Sequence, residues 1–193
     1  ENAIQALKIY EVLKQDLWIG YCLNNIAIIN YNIGDLSTSL GYHQRALVIR
    51  KKRNDQYGEA GSYSNIANVF LDMGDTALAI ANYQKALQIT RQIKHDESTA
   101  VMLTNLGAVY LSLGENHRAL TFLTESLEIR EQLEDQKAIA SSILKLGTVN
   151  MNLKRYSEAG VFLYKGLKIA KSIGVIEEEM QAYLEIAKWH AQQ

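Results

Sequence analysis

Apolar and small residues recur at helical spacing along this chain, and the pattern itself returns every 40 residues. In residues 57–93 one helical face carries Ala60, Tyr63, Ile66, Ala67, Phe70 and Leu71, at steps of three and four. Gly74-Asp75 follows. Glycine ends a helix in the left-handed conformation without a Cβ penalty, and aspartate caps the next helix by accepting from its free N–H groups. A second face then carries Ala79, Ile80, Tyr83, Ala86, Leu87, Thr90 and Ile93. The unit reads as a helical hairpin, helix A then helix B. Gly34, Gly74 and Gly114 sit 40 apart, with Lys154 in the next slot. Asn25, Asn65 and Asn105 keep the same spacing, as do Leu47, Leu87, Leu127 and Leu167, and Ile49, Ile89, Ile129 and Ile169. A fixed period in this range specifies a stacked repeat array.

Extending the frame predicts A helices near 17–33, 57–73, 97–113, 137–153 and 177–191, and B helices near 36–53, 76–93, 116–133 and 156–173. In residues 1–14, Ala6, Leu7 and Ile9 align with Ala46, Leu47 and Ile49, so this stretch keeps the B register. The expectation is an all-α superhelical solenoid of about ten helices, a single array over 1–193. It comprises a trailing B helix of a preceding repeat (1–14), full repeats at 17–53, 57–93, 97–133 and 137–173, and a final A or capping helix at 177–191. Half-repeats at both ends read as an excerpt of a longer protein. Acidic connectors (Asn54-Asp55, His95-Asp96-Glu97, Glu134-Asp135) stand where the next A helix begins, as the helix dipole favours.

Composition narrows the function. Hydrophobic content of 48% suffices for a core, and a net charge of −1 gives no electrostatic case for nucleic acid or an anionic membrane. No apolar run approaches the ~18 residues of a membrane span. Proline is absent, which suits nearly continuous helix. The lone Cys22 has no internal disulfide partner, consistent with a reducing, cytoplasmic setting. His43, His95, His117 and His190 fall in unrelated helical phases without metal-ligand spacing, and no phosphate-binding glycine motif is present. The sequence therefore implies no catalytic residue, no metal and no cofactor, and a chain that is not an enzyme.

The small/large pattern resembles the tetratricopeptide repeat. Its signature is a small residue on helix A, a large one three later, then two small residues on helix B. The second unit has Ala67, Phe70, Ala79 and Ala86; the third has Gly107, Tyr110, Ala119 and Ser126. The first (Ala27, Asn30, Ser39, Ala46) and the fourth (Gly147, Asn150, Ala159, Gly166) place Asn in the large slot. Small side chains let the helix axes approach closely. The common form runs to about 34 residues and ends helix B with proline. Here that slot holds Lys51, Arg91, Glu131 and Lys171, so helix B continues. The longer form is similar to repeats of kinesin light chain, of the spindle-orientation adaptor Pins/LGN and of bacterial signalling sensors. The resemblance implies a scaffold or sensory module whose concave groove holds a peptide or partner protein. The alternative it leaves open is a structural oligomerisation module for an attached kinase or cyclase, with no groove ligand.

The resemblance also implies that A helices line the groove. Asn25, Asn65 and Asn105 each lie one residue before a buried Ile or Leu, which points them away from the hairpin core. On that face stand Asn24, Ile28 and Asn32; Ser62, Asn68 and Asp72; Thr104, Ala108 and Ser112; and Ser141, Lys145, Thr148 and Asn152. Amides carry donor and acceptor, so an asparagine ladder can hold peptide backbone. A structural bridge between helices, or a solvated polar face, accounts for the same residues. Lys145 breaks the ladder and points to an acidic or C-terminal carboxylate feature in the ligand. Arg45, Arg50, Lys51, Lys52 and Arg53 read as helix-end cations or as a patch for an acidic partner, and Glu177, Glu178 and Glu179 as the opposite dipole effect. Ile4, Leu7 and Leu13 at one end, and Met180, Tyr183, Leu184, Ile186 and Trp189 at the other, suggest weak homo-oligomerisation through exposed array ends.

Overall fold

The same local rule starts and stops helix after helix. Asp35, Asp55, Asp75 and Asp135 accept from the backbone N–H of Thr38, Gly58, Leu78 and Ala138 at 3.0, 2.9, 3.0 and 3.1 Å, satisfying a donor that the first turn leaves open. The preceding helix closes by a Schellman motif. In the turn after residue 72, Gly74 N–H donates to Leu71 C=O at 2.9 Å and Asp75 N–H to Phe70 C=O at 2.8 Å. One residue thus ends one helix and caps the next. The left-handed slot recurs every 20 residues, at twice the frequency of the glycine spacing: Lys14, Gly34, Asn54, Gly74, Lys94, Gly114, Glu134, Lys154 and Gly174 all have positive φ. The hairpin-to-hairpin joints, at Lys14, Asn54, Lys94, Glu134 and Gly174, use the same turn as the joints within hairpins, and four of these five lack glycine.

The computed structural model describes residues 2–192, all-α with ten helices and no strand among them. The chain divides into two units, up to His95 and from Asp96 onward. In the first, α1 (Asn2–Val12) packs on α2 (Asp16–Asn32). Helix α2 pairs with α3 (Leu36–Lys52), α4 (Gln56–Asp72) pairs with α5 (Thr76–Gln92), and α3 joins the pairs by packing on α4. In the second, α6 (Asp96–Ser112) pairs with α7 (Asn116–Gln132), and α7 packs on α8 (Gln136–Asn152). Helix α8 pairs with α9 (Tyr156–Ile173), and α10 (Ile176–Ala191) lies against both.

The small-residue slots form the centre of each hairpin: Ala27, Ser39, Ala46, Ala67, Ala79, Ala86, Ala119, Ser126 and Ala159 are fully buried. Where the slot is glycine the fit leaves no room for a methyl. A Cβ on Gly147 would sit 2.5 Å from Leu163 Cδ2, and one on Gly107 2.7 Å from Leu123 Cγ. The asparagines in the large slot bond to their own helix: Asn30 Nδ2 donates to Ile26 C=O at 2.7 Å and Asn150 Nδ2 to Leu146 C=O at 2.8 Å. Tyr110 fills the slot in the third repeat by stacking on Phe122, centroids 5.4 Å apart.

The apolar groups at the ends are covered in part. Leu7 is buried with Ile19, Leu23, Ile26 and Ala46. Ile186 is buried with Leu144, Leu163 and Ala182, and Trp189 packs there and donates Nε1–H to Tyr156 C=O at 2.8 Å. Ile4, Leu13, Met180, Tyr183 and Leu184 remain exposed. No helix among the described residues is long and apolar enough to cross a membrane.

Candidate functional site

The outward stripe of each A helix follows from the packing of its other side. Ile26, Ile66 and Leu106 are buried, so the preceding residue turns outward: Asn25 is exposed, Asn65 and Asn105 half-buried. In the first unit the stripe is already knitted together. Asn65 Nδ2 donates to Asn24 Oδ1 at 3.0 Å, from α4 to α2. Tyr83 donates its hydroxyl to Asn68 Oδ1, and burial pushes this phenol up to about 12. Asp72 accepts from Tyr31, whose pKa is raised chiefly by that bond. Asn32 is exposed. Ser62 is no groove residue. It is fully buried and accepts from Arg50 at 2.7 Å, because its slot faces α3 rather than the outward stripe.

The second unit opens instead into a hollow of about 430 Å³. Helix α8 contributes Ser141, Leu144, Lys145 and Thr148; α6 adds Leu111. Helix α10 contributes Glu177, Glu178, Gln181 and Glu185. A smaller hollow of about 220 Å³ shares Ser141 and Glu178, and is bounded by Arg130, Asp135 and Lys137. Lys145 Nζ donates to Ser141 Oγ at 2.9 Å, and its pKa is lowered by burial and by Arg130, against the pull of Glu178. Thr148 Oγ1 lies 3.1 Å from Glu185 Oε2 as its donor, while Gln181 and Lys188 donate to Glu185 Oε1 at 3.1 and 2.7 Å. Asn152 lies apart, exposed, with its Nδ2 3.3 Å from Asn116 Oδ1.

Sequence reasoning brought Lys145 and Thr148 to this place but missed Glu178, Gln181 and Glu185. The signal was available for one of them: Glu185 stands 40 residues after Lys145, so the asparagine slot reads Asn25, Asn65, Asn105, Lys145, Glu185. The dipole reading of the acidic run suits exposed Glu177, whereas Glu178 is buried. The basic cluster dissolves similarly. Arg50 is 9% exposed and donates inward to Gly58 C=O at 2.9 Å. Arg45 pairs with Glu11 at 3.1 Å, Lys52 with Asp16 at 2.9 Å and Lys51 with Glu59 at 3.8 Å. Two of these pairs rim a hollow of about 510 Å³ between α1, α2 and α3, floored by Ile19, Leu23 and Ile49. Cys22 is half-buried, and burial raises its thiol pKa. No cluster of three or more His, Cys, Asp or Glu among the described residues is arranged to hold a metal.

Comparison with known proteins agrees with this architecture. Family models described as tetratricopeptide repeat match residues 20–54 and 58–132, together more than half of the chain. No protein of curated function matches. Among solved structures, aspartyl phosphate phosphatase F from Bacillus subtilis superposes with a TM-score of 0.83 at 16% identity, over 88% of this chain and 45% of that one. A putative kinesin light chain from Podospora anserina gives 0.74 at 14% identity, over 88% and 84%. The Signal Transduction ATPase with Numerous Domains protein from Pyrococcus horikoshii, which has a tetratricopeptide repeat sensor, gives 0.78 at 20% identity, over 90% and 26%. The chain spans about half of the phosphatase and about a quarter of the ATPase. These likenesses are of fold.

Proposed function

The chain belongs to the tetratricopeptide repeat family, and from that premise we propose that it holds an extended peptide or partner segment along its A helices. The repeat fold supports a protein-binding or regulatory scaffold. The hollow of about 430 Å³ in the second unit carries the reading, because it is built from the stripe that the period marks, with Lys145, Thr148 and Glu185 in its wall. Hydrogen-bonding side chains beside Leu111 and Leu144 suit a peptide, which brings both amide groups and side chains. In the first unit Asn25 and Asn65 offer amide groups; Asn65 gives one N–H to Asn24 and keeps a second N–H and a carbonyl oxygen in its chemical inventory. In the second unit Asn105 and Lys145 continue the slot. A sensory or scaffolding role in a cytoplasmic signalling protein, without chemistry of its own, follows from this reading.

The Asn65–Asn24 bond also favours a second reading, in which the asparagines are bridges and the array serves assembly of an attached enzyme. The variant Asn65→Ala/Asn105→Ala separates the two. The probe is a peptide selected from a displayed library of random 12-mers, with affinity followed by fluorescence anisotropy. Binding should weaken at least tenfold while melting temperature and sedimentation mass stay unchanged. Unchanged affinity with a lower melting temperature or altered mass would assign the asparagines to structure.

A further inference from the structure

We propose that the hollow between α8 and α10 takes a cationic side chain, lysine or arginine, from the bound segment, with Glu178 as its acceptor. This rests on the peptide-binding reading and names the chemistry of the ligand, which is opposite in sign to the one Lys145 alone suggests. Three carboxylates, Glu177, Glu178 and Glu185, and one ammonium, Lys145, line the hollow. Glu185 is already answered by Thr148, Gln181 and Lys188. Glu178 is answered only in part. It is 8% exposed; its Oε1 pairs with Lys137 Nζ at 3.8 Å, longer than a hydrogen bond, while its Oε2 has no hydrogen-bond partner.

A carboxylate removed from water without donors is strongly disfavoured unless a cation completes it. None of the neighbouring cations bonds Oε2: Lys137 pairs with Oε1, Lys145 donates to Ser141, and Arg130 lies 3.7 Å from Asp135 and 3.3 Å from Ser126 Oγ. A donor for Oε2 therefore comes from outside. Glu178 lines the hollow, and the broad last torsion of glutamate lets either oxygen turn to it. Leu111 and Leu144 in the same wall suit the methylene stem of a long basic side chain. A metal ion would need more ligands than one unanswered carboxylate supplies.

The test selects random 12-mers against the wild-type chain and against Glu178→Gln and Lys145→Met, then measures affinities by anisotropy and stability by thermal unfolding. Wild-type selections should enrich Lys or Arg at one position. Glu178→Gln should weaken those peptides at least tenfold while its melting temperature holds or rises, since a buried charge is removed at the loss of one long ion pair to Lys137. Lys145→Met should retain them. Three results overturn the proposal: acidic enrichment with loss of binding in Lys145→Met; a lower melting temperature for Glu178→Gln with unchanged affinity, which makes Glu178 a structural ion partner; or peptides insensitive to Glu178→Gln yet lost in Asn65→Ala/Asn105→Ala, which leaves the peptide reading standing. Failure to select any peptide overturns both.

Discussion

Lys154 occupies a glycine slot with φ of +59°, and Lys154→Gly should stabilise the protein. A left-handed residue brings Cβ against the following carbonyl, at a cost of about 1–2 kcal/mol. Glycine avoids that contact but loses more entropy on folding, by about 0.5–1 kcal/mol. The difference leaves a net gain of about 0.5–1 kcal/mol, and for a chain of this size each kcal/mol moves the melting temperature by about 2–4 °C. The turn's own bonds survive the change, because Lys154 N–H to Met151 C=O at 2.9 Å and Arg155 N–H to Asn150 C=O at 2.9 Å use backbone alone. Thermal unfolding by circular dichroism should show a rise of about 1–4 °C. Two controls isolate the cause. Lys154→Ala keeps a Cβ and should gain little. Asn54→Gly, at φ of +54°, should gain less than Lys154→Gly, because asparagine tolerates the left-handed region. An unchanged or lower melting temperature for Lys154→Gly refutes the reasoning, as does an equal gain from Lys154→Ala.

Further predictions follow from the core. Gly147→Ala drives a methyl into Leu163 and should cost about 1–3 kcal/mol, whereas Gly41→Ala, on an exposed face of α3 with nothing within 4 Å, should gain about 0.5–1 kcal/mol; denaturant midpoints at constant m-value check both. His43 is 2% exposed, its Nδ1 has no hydrogen-bond partner, and burial together with Arg50 lowers its pKa to about 4. The unfolded chain therefore binds this proton more readily, so stability from this residue is present above pH 6.5 and is lost as pH falls toward 4. The loss between pH 7 and pH 5 should be about 2 kcal/mol, and His43→Leu, which copies the buried Leu123 and Leu163 of the same slot, should flatten the pH dependence of melting over that interval.

The helical architecture was legible because its determinants are local and periodic. Small residues at Ala27, Ala67 and Gly107 announce close packing, and aspartates after the turn announce caps. The left-handed joints at Lys14, Asn54, Lys94 and Glu134 were not legible, because no glycine marks them. Backbone geometry there is imposed by the Schellman closure and the next cap, and the residue tolerates it. The fate of charged side chains was the least legible. Arg50 and Lys51 are sequence neighbours, yet a turn of 100° per residue sends one into the interior against Ser62 and leaves the other outside with Glu59. Likewise Glu178 differs from Glu177 only in helical phase, and phase relative to a neighbouring helix needs the tertiary structure.

The slot that begins with Asn25 shows what the two units do differently with one position. In the first unit its members are amides, and the stripe around them is tied internally through Asn24, Tyr31, Asp72 and Tyr83. In the second the slot turns from Asn105 to Lys145 to Glu185, and charge replaces amide where the hollow opens. Amides hold backbone whatever the side chains are; charges discriminate between side chains. The first unit's stripe would therefore hold a segment generically, and the second unit's would read its side chains. Substitutions at Asn65 should then weaken all selected peptides alike, and substitutions at Glu178 should change which peptides are selected. Equal loss for every peptide from both would remove the division of labour and leave a uniformly nonspecific surface.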